Sequence, residues 1–248
     1  MSAALPNLNG LRVLLTRAAA DNHAWAAALT EAGAAVEALA CIEIRALPAG
    51  DALCAAAPDA QWLVVASRRA AEELATYAGL PLPEQRAAVG PATAARTAEL
   101  LGPVALTAPD GTLASLANAL AERLAGTPAT ILHATADRGR DDLAETLEPL
   151  GHDVRRVPLY ATLPAAGLPV RPALDAATVD AIVVASPSAL EGLLAQRDVA
   201  RDLPLVVLGP TSAEAAREAG FTHITEATTR DVQGVARALA TLQDATRS

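Results

Sequence analysis

Gln61–Ser67 reads QWLVVAS and Asp180–Ser186 reads DAIVVAS, and the serines that end the two stretches stand 119 positions apart. Each is a short apolar run of strand length closed by a hydroxyl, the pattern of a strand buried on both faces of a parallel sheet. The spacing recurs in Val89–Ala94 (VGPATA) and Leu208–Ala213 (LGPTSA), and Leu14–Gly33 corresponds to Leu132–Gly151 at an offset of 118. A match through most of both halves reads as two diverged copies of one α/β half. The period is far too long for a solenoid.

Outward from these runs, strand-length apolar segments alternate with amphipathic, Ala-rich segments of helix length, predicting α/β architecture with mostly parallel sheets flanked by helices. Strands are expected at 11–16, 36–44, 61–66, 86–89, 104–107, 129–134, 153–162, 181–185, 204–208 and 222–225, with helices filling most of the intervals. Pro48–Pro58 (PAGDALCAAAP) and Pro164–Pro172 (PAAGLPVRP) read as linkers and fall at the same place in each copy. If both are hinges, a middle block of roughly 50–160 is one lobe and the chain ends combine into the other; the competing cut lies between the copies, near Gly126.

Apolar residues make up 52% of the chain and aromatics only 2%, so the core is built from Ala, Val, Leu and Ile. The net charge of -9, with all basic residues arginine, argues against nucleic acid as a partner. A small acidic ligand would need local features to overcome that charge. Cys41 and Cys54 stand outside any CxxC or metal spacing and read as buried thiols of a reduced compartment. Met1–Gly10 lacks the features of a signal peptide, and no apolar stretch reaches the length of a spanning helix, so a soluble cytoplasmic protein with no membrane partner is expected.

Familiar enzyme signatures are missing: no GxGxxG, no Walker loop, no HExxH, no GxSxG. His23, His133, His152 and His223 lack metal-ligand spacing, so no metal is expected. A repeated strand-end motif, G-P-x-[ST]-A, remains at Gly90–Ala94 and Gly209–Ala213. Glycine would close the strand in a tight turn, and proline suits the first helical turn, where its missing N–H costs nothing. The hydroxyls of Thr93, Thr211 and Ser212 then sit beside unpaired N–H groups at the positive end of a helix dipole, a setting that attracts carboxylates and phosphates.

For a single such turn, capping alone is the plainer alternative. Ser67 and Ser186 repeat the arrangement, however, and Thr16-Arg17 and Thr135–Arg140 (TADRGR) lie at a third pair of strand ends. Ligands of open α/β sheets bind beyond the carboxyl ends of the strands, which moves the reading toward a site. Arg17, Arg138 and Arg140 would supply local positive charge, and arginine suits carboxylates. Arg68 and Arg69 read more simply as a solvated helix start. Tyr160 precedes the second linker in VPLYAT, whereas Tyr77, late in a surface helix, reads as structural.

Over about 11–240 these features together resemble uroporphyrinogen-III synthase: Leu14-Leu15-Thr16-Arg17, Ser67, Ser186-Pro187-Ser188-Ala189, both G-P-x-[ST]-A turns, Gly139-Arg140, and Tyr160 followed by Thr162. The resemblance implies two α/β lobes joined by a two-stranded linker. With the linker positions it gives a discontinuous domain of 1–40 plus 165–248, a second domain of 46–158, and linker strands at 41–45 and 159–164. It also implies the reaction, in which linear hydroxymethylbilane loses water and closes with inversion of ring D through a spiro intermediate. No metal or organic cofactor is implied, and a monomer is expected.

The partner so implied is a small-molecule substrate, a linear tetrapyrrole with eight carboxylates. By the resemblance, Tyr160 is the general acid or orients the leaving hydroxyl. Thr93, Ser186, Thr211 and Ser212 match the family's substrate-contacting hydroxyls. Arg17, Ser67, Thr112, Arg140, Ser188 and the backbones of Gly90 and Gly209 are further binding candidates, with Arg17 balanced between binding and bracing. Two departures stand out. Ala18 occupies a place often held by proline, and Asp231 stands where the second copy should repeat Thr112, which puts a carboxylate where an acidic substrate would be repelled. Two rivals stay open: a two-lobed protein binding a small polycarboxylate or other anion without chemistry, and an enzyme acting on a different small acid.

Overall fold

The computed structural model describes residues 4–77, 79–139 and 141–247. Along the chain, β1 (Arg12–Leu15), α1 (Ala19–Glu31), β2 (Ala35–Ala38), β3 (Ile42–Ala46) and α2 (Gly50–Ala56) come first. They are followed by β4 (Trp62–Val65), α3 (Arg68–Ala75), β5 (Gln85–Ala88), α4 (Pro91–Leu101), β6 (Leu106–Thr107), α5 (Leu113–Arg123), β7 (Thr130–Ala136) and α6 (Asp142–Leu147). The remainder is β8 (Asp153–Pro164), β9 (Ala173–Leu174), β10 (Ala181–Val184), α7 (Pro187–Gln196), β11 (Asp198–Val199), β12 (Leu205–Val207), α8 (Pro210–Glu218), β13 (Ile224–Glu226) and α9 (Val232–Arg247).

The chain divides into two compact units, Met1–Ile44 with Leu163–Ser248, and Arg45–Thr162. In the first, a five-stranded sheet of order β13-β12-β10-β1-β2 is parallel throughout. Its inner strands β1, β10 and β12 are apolar on both faces because both are covered. Ile182 and Val184 pack with Leu190 and Leu193 of α7 and Ala216 of α8. Ala181 and Val183, one residue out of phase, pack with Leu29 of α1 and with Val235 and Leu239 of α9. That two-faced burial is why the runs are continuously apolar rather than alternating.

The second sheet has the order β3-β8-β7-β4-β5-β6, with parallel pairing from β8 through β6. Trp62, Val64 and Ile131 face Leu116 and Leu120 of α5 and Leu143 and Leu147 of α6. Leu63, Val65 and Leu132, buried on the opposite phase, face the side where α3 packs on β4 and β7.

Three expectations need correction. The single strand expected at 36–44 is two strands in two sheets. Leu39 N still donates to Leu15 O, but Cys41 O accepts from Ala165 N at 2.8 Å, so the pairing partner changes within two residues. Pro48–Pro58 is not a linker, because Gly50–Ala56 is helical with Leu53 buried. Cys54 is an exposed free thiol on that helix, and only Cys41 is buried. The short pair β9 and β11 has no counterpart among the expected strands.

Candidate functional site

Ser67 lies just beyond β4 and is the N-cap of α3. In extended backbone at the N-cap, its Oγ accepts from Ala70 N at 3.0 Å and lies 3.0 Å from the phenol oxygen of Tyr160. Tyr160 reaches it because of an irregularity in β8. Val157 pairs with Ala134 and Pro158 with Thr135, but Ala136 pairs with Tyr160, so Leu159 is skipped. A bulge of one residue reverses which face a side chain takes. Without it Tyr160 would point toward α5 and α6, the side of Ile131; with it Tyr160 shares the face of Ala134 and Val65, where Ser67 begins α3. The phenol is largely buried.

The two G-P-x-[ST]-A turns decide between capping and an open helix start. Gly90 and Gly209 are themselves the N-caps of α4 and α8, proline occupies the first turn of each, and neither helix has a side-chain cap hydrogen bond. Thr93 and Ser212 stand inside the first turn, Ser212 buried and Thr211 exposed. Capping therefore does not explain these turns. Ser67, Ser186 and Thr112 do cap, accepting from Ala70 N, Ala189 N and Ser115 N, while Ser188 lies half-buried in the first turn of α7. The glycines have extended backbone, near 180° in φ, so left-handed geometry does not require them. What Gly209 provides is space: a side-chain carbon there would lie 3.3 Å from Nη2 and 3.6 Å from Cζ of Arg230.

Arg230 escaped the sequence reading. Its guanidinium lies over the Gly209 turn, exposed, with no ion pair to any described residue. The position 119 residues earlier is Gly111, beside the Gly90 turn. The loop that carries it is pinned. Asp231 Oδ1 accepts from Gly234 N at 2.8 Å and from Thr229 Oγ1 at 2.7 Å, and a side chain on Gly234 would collide with the Thr229 carbonyl.

Asp231 is thus the cap of α9. The bond from Gly234 N, with help from Thr229 and Arg237, holds its carboxyl below the usual range against the cost of burial. In the other half the same two residue types appear in reverse order: Thr112 caps α5 while its N–H and hydroxyl donate to Asp110. The carboxylate expected to repel a substrate is occupied as a cap.

Arg17, just beyond β1, has its guanidinium 4.1 Å from the centre of the Trp25 ring and 3.9 Å from Asp21. That geometry braces the start of α1. Thr16 is buried, its hydroxyl donating to Val183 O. Arg138 belongs to an exposed turn after β7, and Arg140 lies outside the described residues. Tyr77 is structural as expected, its hydroxyl donating to Leu47 O and accepting from Ala49 N.

A cavity of about 330 Å³ is lined by Asn9, Leu11, Asp180, Pro204 and Leu242, next to the amino ends of β1, β10 and β12. Among the described residues, no group of three or more His, Cys, Asp or Glu is placed to hold a metal, and no helix is long and apolar enough to cross a membrane.

A family model described as Uroporphyrinogen-III synthase HemD matches residues 23–237. The chain belongs to the uroporphyrinogen-III synthase family. It is a cyclising lyase of tetrapyrrole biosynthesis, and the rival reading as a binder without chemistry is not favoured. The uroporphyrinogen-III synthase fold is seen in two solved structures. The enzyme from Helicobacter pylori 26695 superposes with a TM-score of 0.64 at 14% identity, covering 96% of this chain and 100% of that one. A mutant of the enzyme from the extremely thermophilic bacterium Thermus thermophilus gives 0.58 at 16% identity, covering 96% and 99%. No curated protein sequence matches.

Proposed function

We propose that this uroporphyrinogen-III synthase converts hydroxymethylbilane to uroporphyrinogen III, with loss of water and inversion of ring D, and that Tyr160 is its general acid. The hydroxymethyl oxygen leaves as water only when it gains a proton, and the electron-rich pyrroles supply the electrons that expel it. A phenol in hydrogen-bond reach of a hydroxyl, at the carboxyl edge of the sheet, can give that proton and then be replenished from solvent, which supports the assignment. The contact between Tyr160 and Ser67 is the observation that carries this assignment.

The substrate's acetates and propionates meet donors rather than lysines. The uncapped starts of α4 and α8 offer first-turn N–H groups beside Thr93, Thr211 and Ser212, and Arg230 adds a full charge over one of them. Ser186 and Ser188 are secondary contacts, the cap of Ser186 using only a lone pair and leaving its O–H free to donate; Thr112, whose O–H already donates to Asp110, would contribute only after giving up that bond. Arg17 serves by bracing. The reading extends to a cytoplasmic monomer needing no metal or organic cofactor; two free thiols suit a reducing compartment. Incubation with freshly prepared hydroxymethylbilane tests it: the inverted type III isomer should accumulate, and only type I would refute it.

A further inference from the structure

The geometry points to Arg156 as a positioning residue that holds Tyr160 in place through the turn after β7. Arg156 stands on β8 opposite His133, on the face that packs against α5 and α6, so it cannot touch the phenol on the other face. Its Nη2 instead reaches the carbonyls of Ala136, Asp137 and Gly139 at 2.9, 2.6 and 3.2 Å. Three carbonyls converging on one nitrogen close the turn around the guanidinium, and a cation is the donor that best holds such a cluster. The turn has no slack, because a side chain on Gly139 would collide with Thr135 Oγ1. Nε lies 3.4 Å from Asp141 Oδ1 but without hydrogen-bond geometry, so the carbonyl cage, not this ion pair, fixes the side chain.

The gripped turn holds the tyrosine. Asp137 N donates to Tyr160 O at 2.9 Å, immediately after the skipped Leu159. A bulge leaves one residue without its ladder partner and frees the strand to twist, so the bond from Asp137 is what fixes the direction of the Tyr160 side chain. The path runs from Arg156 to the turn carbonyls, from Asp137 N–H to the Tyr160 backbone, and from the phenol to Ser67. Replacing Arg156 by alanine leaves these carbonyls without their cation and releases the path at its start.

This rests on the role proposed for Tyr160, and the tests separate the two. Arg156→Ala should lower kcat about tenfold to a hundredfold, the cost of displacing a reacting group by about 1 Å, with KM within about twofold. Arg156→Lys should recover part of the loss. In a Tyr160→Phe background Arg156→Ala should slow turnover no further. With two tyrosines in the chain, tyrosine-labelled NMR gives a readout independent of activity: the Tyr160 ring signal should move in Arg156→Ala while that of Tyr77 stays. An unmoved Tyr160 signal, or rate losses that multiply in the double variant, overturns the inference. A fully active Tyr160→Phe would instead remove the acid role, leaving the NMR shift to judge the hold on the ring.

Discussion

Ser67 Oγ and the Tyr160 phenol oxygen stand 3.0 Å apart across 93 positions of sequence, and the serine oxygen also accepts from Ala70 N. The hydroxyl that caps α3 therefore also orients the phenol. Tyr160→Phe should keep the fold, losing about 1 kcal/mol for one hydrogen bond, while turnover falls by roughly 10²–10⁴, the range for a removed general acid. Steady-state rates beside a thermal melt check this, and an active, stable variant would remove Tyr160 from the chemistry. Ser67→Ala should cost about 1 kcal/mol as a lost cap and reduce turnover less.

The uncapped helix starts predict a binding defect without a folding defect. Thr211→Ala with Ser212→Ala should weaken product affinity in a titration, and unchanged affinity would leave those hydroxyls without a part in binding. Arg230→Ala should weaken it by about tenfold or more, as expected for a charge-assisted contact, and should flatten the dependence of affinity on salt. Because Arg230 has no ion pair to any described residue, its melting temperature should hardly change.

Gly192 allows a close crossing within the first unit. A side chain there would run into the Cys41 carbonyl, which already accepts from Ala165 N. Gly192→Ala should destabilise by about 1–3 kcal/mol as overpacking, despite the better helix propensity of alanine. Gly50→Ala is the control: its new carbon meets only Tyr77, at 3.6 Å, so the same change should be neutral or stabilising by up to about 1 kcal/mol. Urea unfolding of both separates crowding from propensity.

His133 makes the fold sensitive to mild acid. Burial first, and the neighbouring Arg156 second, push its imidazole down to about 4 from 6.5. The unfolded chain therefore binds a proton that the folded chain refuses, and stability falls as pH drops from about 6.5 to about 4. The loss from this residue reaches about 3 kcal/mol below that window. Since Nε2 is buried without a hydrogen-bond partner among the described residues, His133→Leu should be tolerated near neutral pH and should flatten the pH dependence of unfolding between those limits. An unchanged slope would assign it elsewhere.

The core strands are legible because doubly covered parallel strands leave uninterrupted apolar runs, as at Trp62–Val65 and Ala181–Val184. Residues 36–44 mislead for the same reason. Hydropathy registers burial but not which sheet does the burying, and the exchange at Cys41 depends on Ala165, far away in sequence. The Ala-rich segment after Gly50 reads as a linker because its proline and glycine flanks outweigh the helix preference of its interior. In the site, the serines can be found because a cap leaves a local mark. Arg156 and Arg230 cannot: one depends on a skipped residue in β8, the other on a loop folding back over a distant glycine.

Asp110 and Thr112 in one half, Thr229 and Asp231 in the other, perform one job with their places exchanged. Counted letter by letter, the two loops differ twice; in both, the residue before the helix accepts from a first-turn N–H and a threonine hydroxyl donates to an aspartate. Covariation at this loop should accordingly run by transposition. Writing the second order into the first loop, as Asp110→Thr with Thr112→Asp, should be better tolerated than either change alone, making the pair the unit on which drift acts.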